Sequence, residues 1–229
     1  WNEDRFAELE AEWAGIGAPT IFLPRTTIQK LLIEQMGTEA TIYALMDNAA
    51  DCEAYFDALD EAFEAMAAVV CDCPVEVINF GDNLDARVTS PRLFEKYILP
   101  VYQRRCERLH AAGKFVHSHW DGATGPLLPF ARDTGLDGIE AITPLPQGDV
   151  TLEQARDALG DGMFLLDGIP AIYFDTTYSE QELLDCAKRC IDLFAPKLIL
   201  GISDEISSTG DIERVMRVGE LVDDNNASL

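Results

Sequence analysis

The sequence predicts an α/β fold of the (β/α) barrel kind, and three observations carry that expectation. Six apolar, strand-like runs, near residues 20, 77, 116, 139, 165 and 200, are each followed by a helical pattern. Alternation of this kind argues a parallel sheet with helical crossovers. No G-x-G-x-x-G or G-x-x-x-x-G-K-S/T stands at any strand-to-helix turn, which removes the strongest sequence support for a Rossmann or P-loop sheet. Strand after strand then ends in acid, amide or imidazole, as barrel strands do where they line an active-site face. Six units fall two short of a full barrel. The chain opens at Trp1 without an initiator Met and inside a helical pattern. It therefore reads as one barrel domain over residues 1–229 whose N-terminal part is missing.

The elements follow in order. Asn2 to Trp13 is acidic and helical, and Gly15, Gly17 and Pro19 break it before the strand Pro19 to Leu23. Thr26 or Thr27 caps a helix over Ile28 to Met36, stopped at Gly37, and another begins at once. Ala49 to Cys71 is a long amphipathic helix, with Tyr55, Leu59, Phe63 and Met66 as its core stripe. Val75 to Phe80 is a strand ending in a polar turn, G-D-N-L-D. Ser90 and Pro91 open the next helix, Pro100 kinks or divides it, and Gly113 closes it. His110 lies in its last turn, where it suits the helix dipole and carries no chemistry.

The chain is organised around K-F-V-H-S-H-W-D-G, residues 114–122, where an apolar run meets metal-capable side chains. His117, His119 and Asp121 are two residues apart, so strand alternation sends all three to one face. Such a trio could hold a divalent metal, move a proton or bind a polar substrate. A lone strand histidine is otherwise a satisfied structural residue. Next come a short helix, G-P-L-L-P-F-A-R-D-T-G, and the strand L-D-G-I-E-A-I-T-P carrying Glu140. Leu152 to Leu159 is a helix, M-F-L-L-D-G-I-P a strand ending at Asp167, and Ser179 to Phe194 a helix capped by Ser179 with Glu182. L-I-L-G-I-S-D-E-I-S is the last strand and Gly210 to Val222 the last helix. Asn79, Asp82, Asn83, His117, His119, Asp121, Glu140, Asp167, Asp204 and Glu205 all fall at strand C-terminal ends. Any one of these could be a helix cap; five strand ends in succession argue a site.

Composition narrows the function classes. A formal charge of -24, from 17 Lys plus Arg against 41 Asp plus Glu, argues against a nucleic-acid backbone or an anionic membrane as partner. The six cysteines form neither paired C-x-x-C units nor a secretory disulfide framework, so they read as reduced thiols. Cys186 and Cys190, four apart on a helix, read as packed core thiols. No apolar run is long enough to span a bilayer, and the expectation is a soluble, cytoplasmic protein.

Taken together, V-I-N-F-G-D-N-L, S-P-R-L-F-E-K-Y-I-L-P-V-Y, A-A-G-K-F-V-H-S-H-W-D-G, G-L-D-G-I-E-A-I-T-P and L-I-L-G-I-S-D-E-I-S resemble the uroporphyrinogen decarboxylase superfamily. That superfamily includes heme-pathway decarboxylases and corrinoid-dependent methyltransferases, and the likeness covers most of Glu76 to Val218. The resemblance implies a distorted (β/α)8 TIM barrel with its N-terminal part absent here. The methyltransferase branch is the closer likeness, since its zinc-binding His-x-Cys falls on His119-Trp120-Asp121. The histidine is kept and a carboxylate replaces the thiolate. A second ligand cysteine of that branch falls near Gly201 to Asp204, where Ser203, Asp204 and Glu205 stand instead.

The resemblance thus implies zinc on His119 with Asp121, Glu140, Asp204 and Glu205, because zinc accepts imidazole and carboxylate ligands. It implies His117 and Asp82 in catalysis, His117 as a further ligand or a base, and Asn79, Asn83 and Asp167 orienting a small-molecule substrate. The reaction implied is metal-dependent methyl transfer between a small methylated substrate or thiol and a corrinoid carried by a partner protein. Decarboxylation of a porphyrinogen is the alternative; that branch grips its polyanion through an N-terminal arginine motif, and an acid-rich site would repel such a substrate. Metal-assisted hydrolysis and a non-catalytic ligand-binding barrel are further alternatives. Open sheet edges predict self-association into a homo-oligomer.

Overall fold

The computed structural model describes residues 1–227. Among them six strands lie in chain order in one sheet: Thr20–Leu23 (β1), Val77–Asn83 (β2), Phe115–His119 (β3), Gly138–Glu140 (β4), Phe164–Pro170 (β5) and Leu198–Ser203 (β6). Parallel neighbours need crossovers, and helical segments occupy every interval between the strands. This is a parallel α/β arrangement of the TIM-barrel type. Among the described residues no helix is long and apolar enough to cross a membrane. By its packing the chain divides into two compact units: residues 1–83, 92–118 and 133–136, and residues 84–91, 119–132 and from 137 on.

In the first unit, helix α1 (Glu3–Trp13) is capped by Asn2, whose side chain accepts from Arg5 N–H. β1 pairs with β2 from Thr20 opposite Val77 to Leu23 opposite Phe80. Gly81 follows, and a Cβ there would stand 2.4 Å from the Leu23 carbonyl oxygen, so only glycine lets the two strands run on together. β2 continues through Asp82 and Asn83, which are strand residues rather than the turn expected beyond Phe80. Short α2 (Thr27–Gln29) continues as a π-helical stretch, Lys30–Gln35, before α3 (Thr38–Asp47).

The long helix α4 (Ala49–Asp72) buries Cys52, Phe56, Phe63, Ala67 and Val70. The expected stripe is thereby rotated: Tyr55, one position off this face, is exposed, and its hydroxyl pairs with the Gln35 side chain. The helix expected from Ser90 starts as α5 (Pro91–Leu93), widens into a π-helical turn (Phe94–Ile98) and resumes as α6 (Leu99–Ala111). Pro100 explains the widening, since it offers no N–H to the turn before it. Ile28, Ile78, Phe80, Phe94, Ile98 and Tyr102 are fully buried, with the Tyr102 ring 5.0 Å from Phe80 and 6.2 Å from Phe94.

In the second unit, β4 pairs with β5, and β5 with β6 from Leu165 opposite Leu198 to Pro170 opposite Ser203. β5 therefore passes through Asp167 instead of ending there. The backbone takes a positive φ at that point, 78° at Asp167 and 102° at Gly168, while pairing to β6 continues unbroken through both residues. The buried Ser203 hydroxyl supports this conformation, accepting from Gly168 N–H at 3.0 Å and donating to the Ile142 carbonyl at 3.0 Å. Helices α7 (Leu152–Leu159) and α8 (Glu180–Phe194) both open with capping boxes, Thr151 with Gln154 and Ser179 with Glu182. Helix α9 (Glu213–Ala227) comes last.

Candidate functional site

His119 is the last residue of β3, and its backbone is tied down on that side by Leu84 N–H, which donates to its carbonyl at 3.1 Å. Glu140 ends β4, and its carbonyl accepts from Trp120 N–H at 2.9 Å. Two short strands thus present an imidazole and a carboxylate side by side: His119 Nδ1 lies 3.3 Å from Glu140 Oε1. The two side chains are 25% and 24% exposed, enough to meet a ligand and little enough to limit screening by water. Burial works to lower the His119 pKa, but the hydrogen bond and charge of Glu140, then the charges of Asp121 and Asp204, outweigh it. The imidazole is held above its ordinary value, with Nδ1 occupied and Nε2 as its other proton-bearing atom.

The remaining acidic residues of this unit take different places. Asp121 lies just past β3, and one of its carboxylate oxygens accepts from Gly122 N–H. Asp204, immediately after β6, is exposed and holds a positive φ of 74°. Ala141, just past β4, has φ of 67°, so with Asp167 three non-glycine residues of this unit adopt the left-handed region. Such conformations cost energy in bulk and concentrate where side chains are aimed for a task. Asp167 points toward β6: a Cβ at Gly201 would fall 2.4 Å from its carboxylate. Glu205 is exposed beyond Asp204.

The first unit holds the other residues singled out from the sequence. His117 is buried, and its Nδ1 lies 3.3 Å from Nδ2 of buried Asn79 on β2. Asp82 is also buried, accepting from Thr26 N–H at 2.7 Å, from the Thr26 hydroxyl at 3.2 Å and from the Tyr102 hydroxyl at 2.8 Å. Tyr102 spends its one proton on Asp82, so the Ser118 hydroxyl, 2.7 Å away, donates to Tyr102. Burial raises the Asp82 pKa against the opposing pull of these donors and of Arg105. Asp82 thus ties β2, α2, α6 and β3 together, and Asn83 is exposed at the end of β2. No local sequence signal links Tyr102, Thr26 or Ser118 to Asp82; only the folded packing reveals the connection.

Among the described residues, no three His, Cys, Asp or Glu side chains stand close enough together to hold a metal ion. His119, Asp121, Glu140, Asp204 and Glu205, with no thiolate among them, form a hydrogen-bonded pair with acidic neighbours and not a ligand cage. This donor set does not fit a tightly held zinc.

Comparison with known proteins agrees with the α/β barrel-type fold. A solved structure of a methyltransferase from Methanosarcina mazei superposes with a TM-score of 0.76 at 13% sequence identity, covering 96% of this chain. This chain spans 63% of that structure's length, and at such identity the likeness shows the fold alone. The family model for uroporphyrinogen decarboxylase (URO-D) matches residues 24–224, which take in β2 to β6 and begin just past β1. The chain therefore belongs to the uroporphyrinogen decarboxylase (URO-D) family.

Proposed function

We propose that this chain is the catalytic part of an enzyme that moves a methyl group between a small methylated substrate, or a thiol, and a corrinoid on a partner protein. The observation that carries the reading is the His119–Glu140 pair at the ends of β3 and β4 with Asp121 and Asp204 acting on it. Methyl transfer from oxygen or nitrogen leaves a basic heteroatom that must gain a proton as the bond to carbon breaks. His119 Nε2–H is the donor for that proton, and Glu140 holds the ring through Nδ1 in the orientation that delivers it. In the opposite sense, with a thiol as acceptor, the same nitrogen takes up the thiol proton as sulfur gains the methyl group. The corrinoid supplies the nucleophilic centre that exchanges the methyl group.

The local charge supports the substrate class. Glu140, Asp121 and Asp204 act on one imidazole, so this end of the sheet favours a neutral methylated molecule, an ether or an unprotonated methylated amine, over a polycarboxylate. The test is demethylation of a panel of methylated amines, ethers and carboxylated tetrapyrroles by the complete protein with a corrinoid protein present. Turnover of the amines or ethers supports the reading, and turnover of the tetrapyrroles alone with release of carbon dioxide overturns it.

A further inference from the structure

The first unit contains a pocket of about 150 Å³ lined by cations in a chain whose net charge is -24. Arg25 lies just after β1, Lys30 stands in the following helical segment, and Arg105 on α6 meets Phe63, Leu59 and Met66 of α4. The Arg105 side chain is 5% exposed, with its guanidinium 3.7 Å from the centre of the Phe63 ring. One of its nitrogens, Nη2, donates to Asp60 at 3.1 Å, while buried Nε and Nη1 have no partner. Buried Nη1 of Arg25 likewise has none. A buried charged N–H without an acceptor is costly, so two such groups at one small pocket mark a place built to receive an acceptor.

The carboxylates already present do not satisfy it. Glu34 pairs with Arg25 Nε and with Lys30 at 3.4 Å each, and Asp60 is shared by Arg104 and Arg105. By direct ion pairs four cations thus share two carboxylates, with Asp82 acting on Arg105 through charge alone. Apart from Thr27, the rest of the wall is apolar, with Leu59, Phe63 and Met66 its largest side chains. The volume equals that of about five waters, the size of a short-chain acid. We propose that this pocket is a binding site for a small organic carboxylate, with its oxygens between Arg25 and Arg105 and its short hydrocarbon against Leu59, Phe63 and Met66. Guanidinium groups suit a planar carboxylate head, and the apolar wall distinguishes a carbon-bearing acid from inorganic phosphate. None of these residues belongs to the His119–Glu140 pair, so the inference stands independently of the proposed methyl transfer.

The experiment is a titration of the full chain with sodium propionate, read through the 13C-methyl resonance of Met66, assigned with Met66→Leu. A saturable shift is expected, with Arg25→Gln raising the apparent Kd at least tenfold. Arg105→Gln should abolish the shift; because that variant removes a buried side chain, Lys30→Gln, expected to weaken binding severalfold, serves beside it. No saturable shift, or a shift unchanged by both Arg25→Gln and Lys30→Gln, overturns the site. An equal response to 1-propanol, or phosphate binding at least as tightly as propionate, overturns the assignment to an organic carboxylate.

Discussion

His119 Nδ1 and Glu140 Oε1 stand 3.3 Å apart although 21 positions separate the two residues in the chain. The pairing exists because β3 and β4 both end there, one in an imidazole and the other in a carboxylate. Asp121 and Asp204 add charge to the same ring, and the imidazole is held above its ordinary pKa despite burial.

Glu140→Gln should therefore lower the His119 pKa, since it removes both the hydrogen bond and the nearest charge that oppose burial. With three histidines in the chain, each ring can be followed separately by NMR titration. The linkage sign follows from the raised value. The folded state holds this proton more tightly than the unfolded state, so the pair's contribution to stability is full below the unfolded pKa of about 6.5. It is lost as pH rises through the folded value. The stability gap between wild type and Glu140→Gln should accordingly shrink on moving from mildly acidic to alkaline buffer, and a gap that widens would contradict the assignment.

Asp82 gives a second pH dependence. Its pKa is raised by burial, so the folded state keeps this proton above the unfolded value of about 3.9. Stability associated with Asp82 is then full at lower pH and falls as pH rises through the folded value. Asp82→Asn should flatten that decline in urea unfolding curves. Asp82→Ala should cost about 2–4 kcal/mol, because it strands the Thr26 and Tyr102 donors in the interior.

Gly81→Ala tests the junction of β1 and β2. The added methyl would stand 2.4 Å from the Leu23 carbonyl oxygen, an atom of the backbone that cannot swing aside. A loss of about 1–3 kcal/mol is expected, read as a lowered thermal midpoint. An unchanged midpoint would mean that the strands part there at no cost.

Much of this architecture was legible in the sequence. Alternating strands and helices, the Ser179–Glu182 capping box and the strand ends at His119 and Glu140 all depend on local pattern, and they stand where the residues place them. His119 and Glu140 were legible as strand-end residues for the same reason, since each closes an apolar run. Their pairing was not, nor was the engagement of His117 with Asn79, because both depend on which strands become neighbours. Asp82 looked like a turn residue, and it is a strand residue whose partners come from Thr26 and Tyr102, 56 and 20 positions away. The face of α4 was misread by one position at Tyr55, because an alanine-rich helix offers few large side chains to mark its buried stripe. The π-helical turns before Met36 and Pro100 have no clear signature in hydrophobic spacing.

The most direct test of the central claim is the rate of methyl transfer by the complete protein with His119→Gln beside wild type, using the best methylated substrate and a corrinoid protein. If His119 delivers the proton, the substitution should cut the turnover rate by about 100- to 10,000-fold, with a far smaller change in substrate affinity. The loss should shrink for substrates whose leaving group needs no proton. A His119→Gln protein that folds and turns over at the wild-type rate would contradict the account.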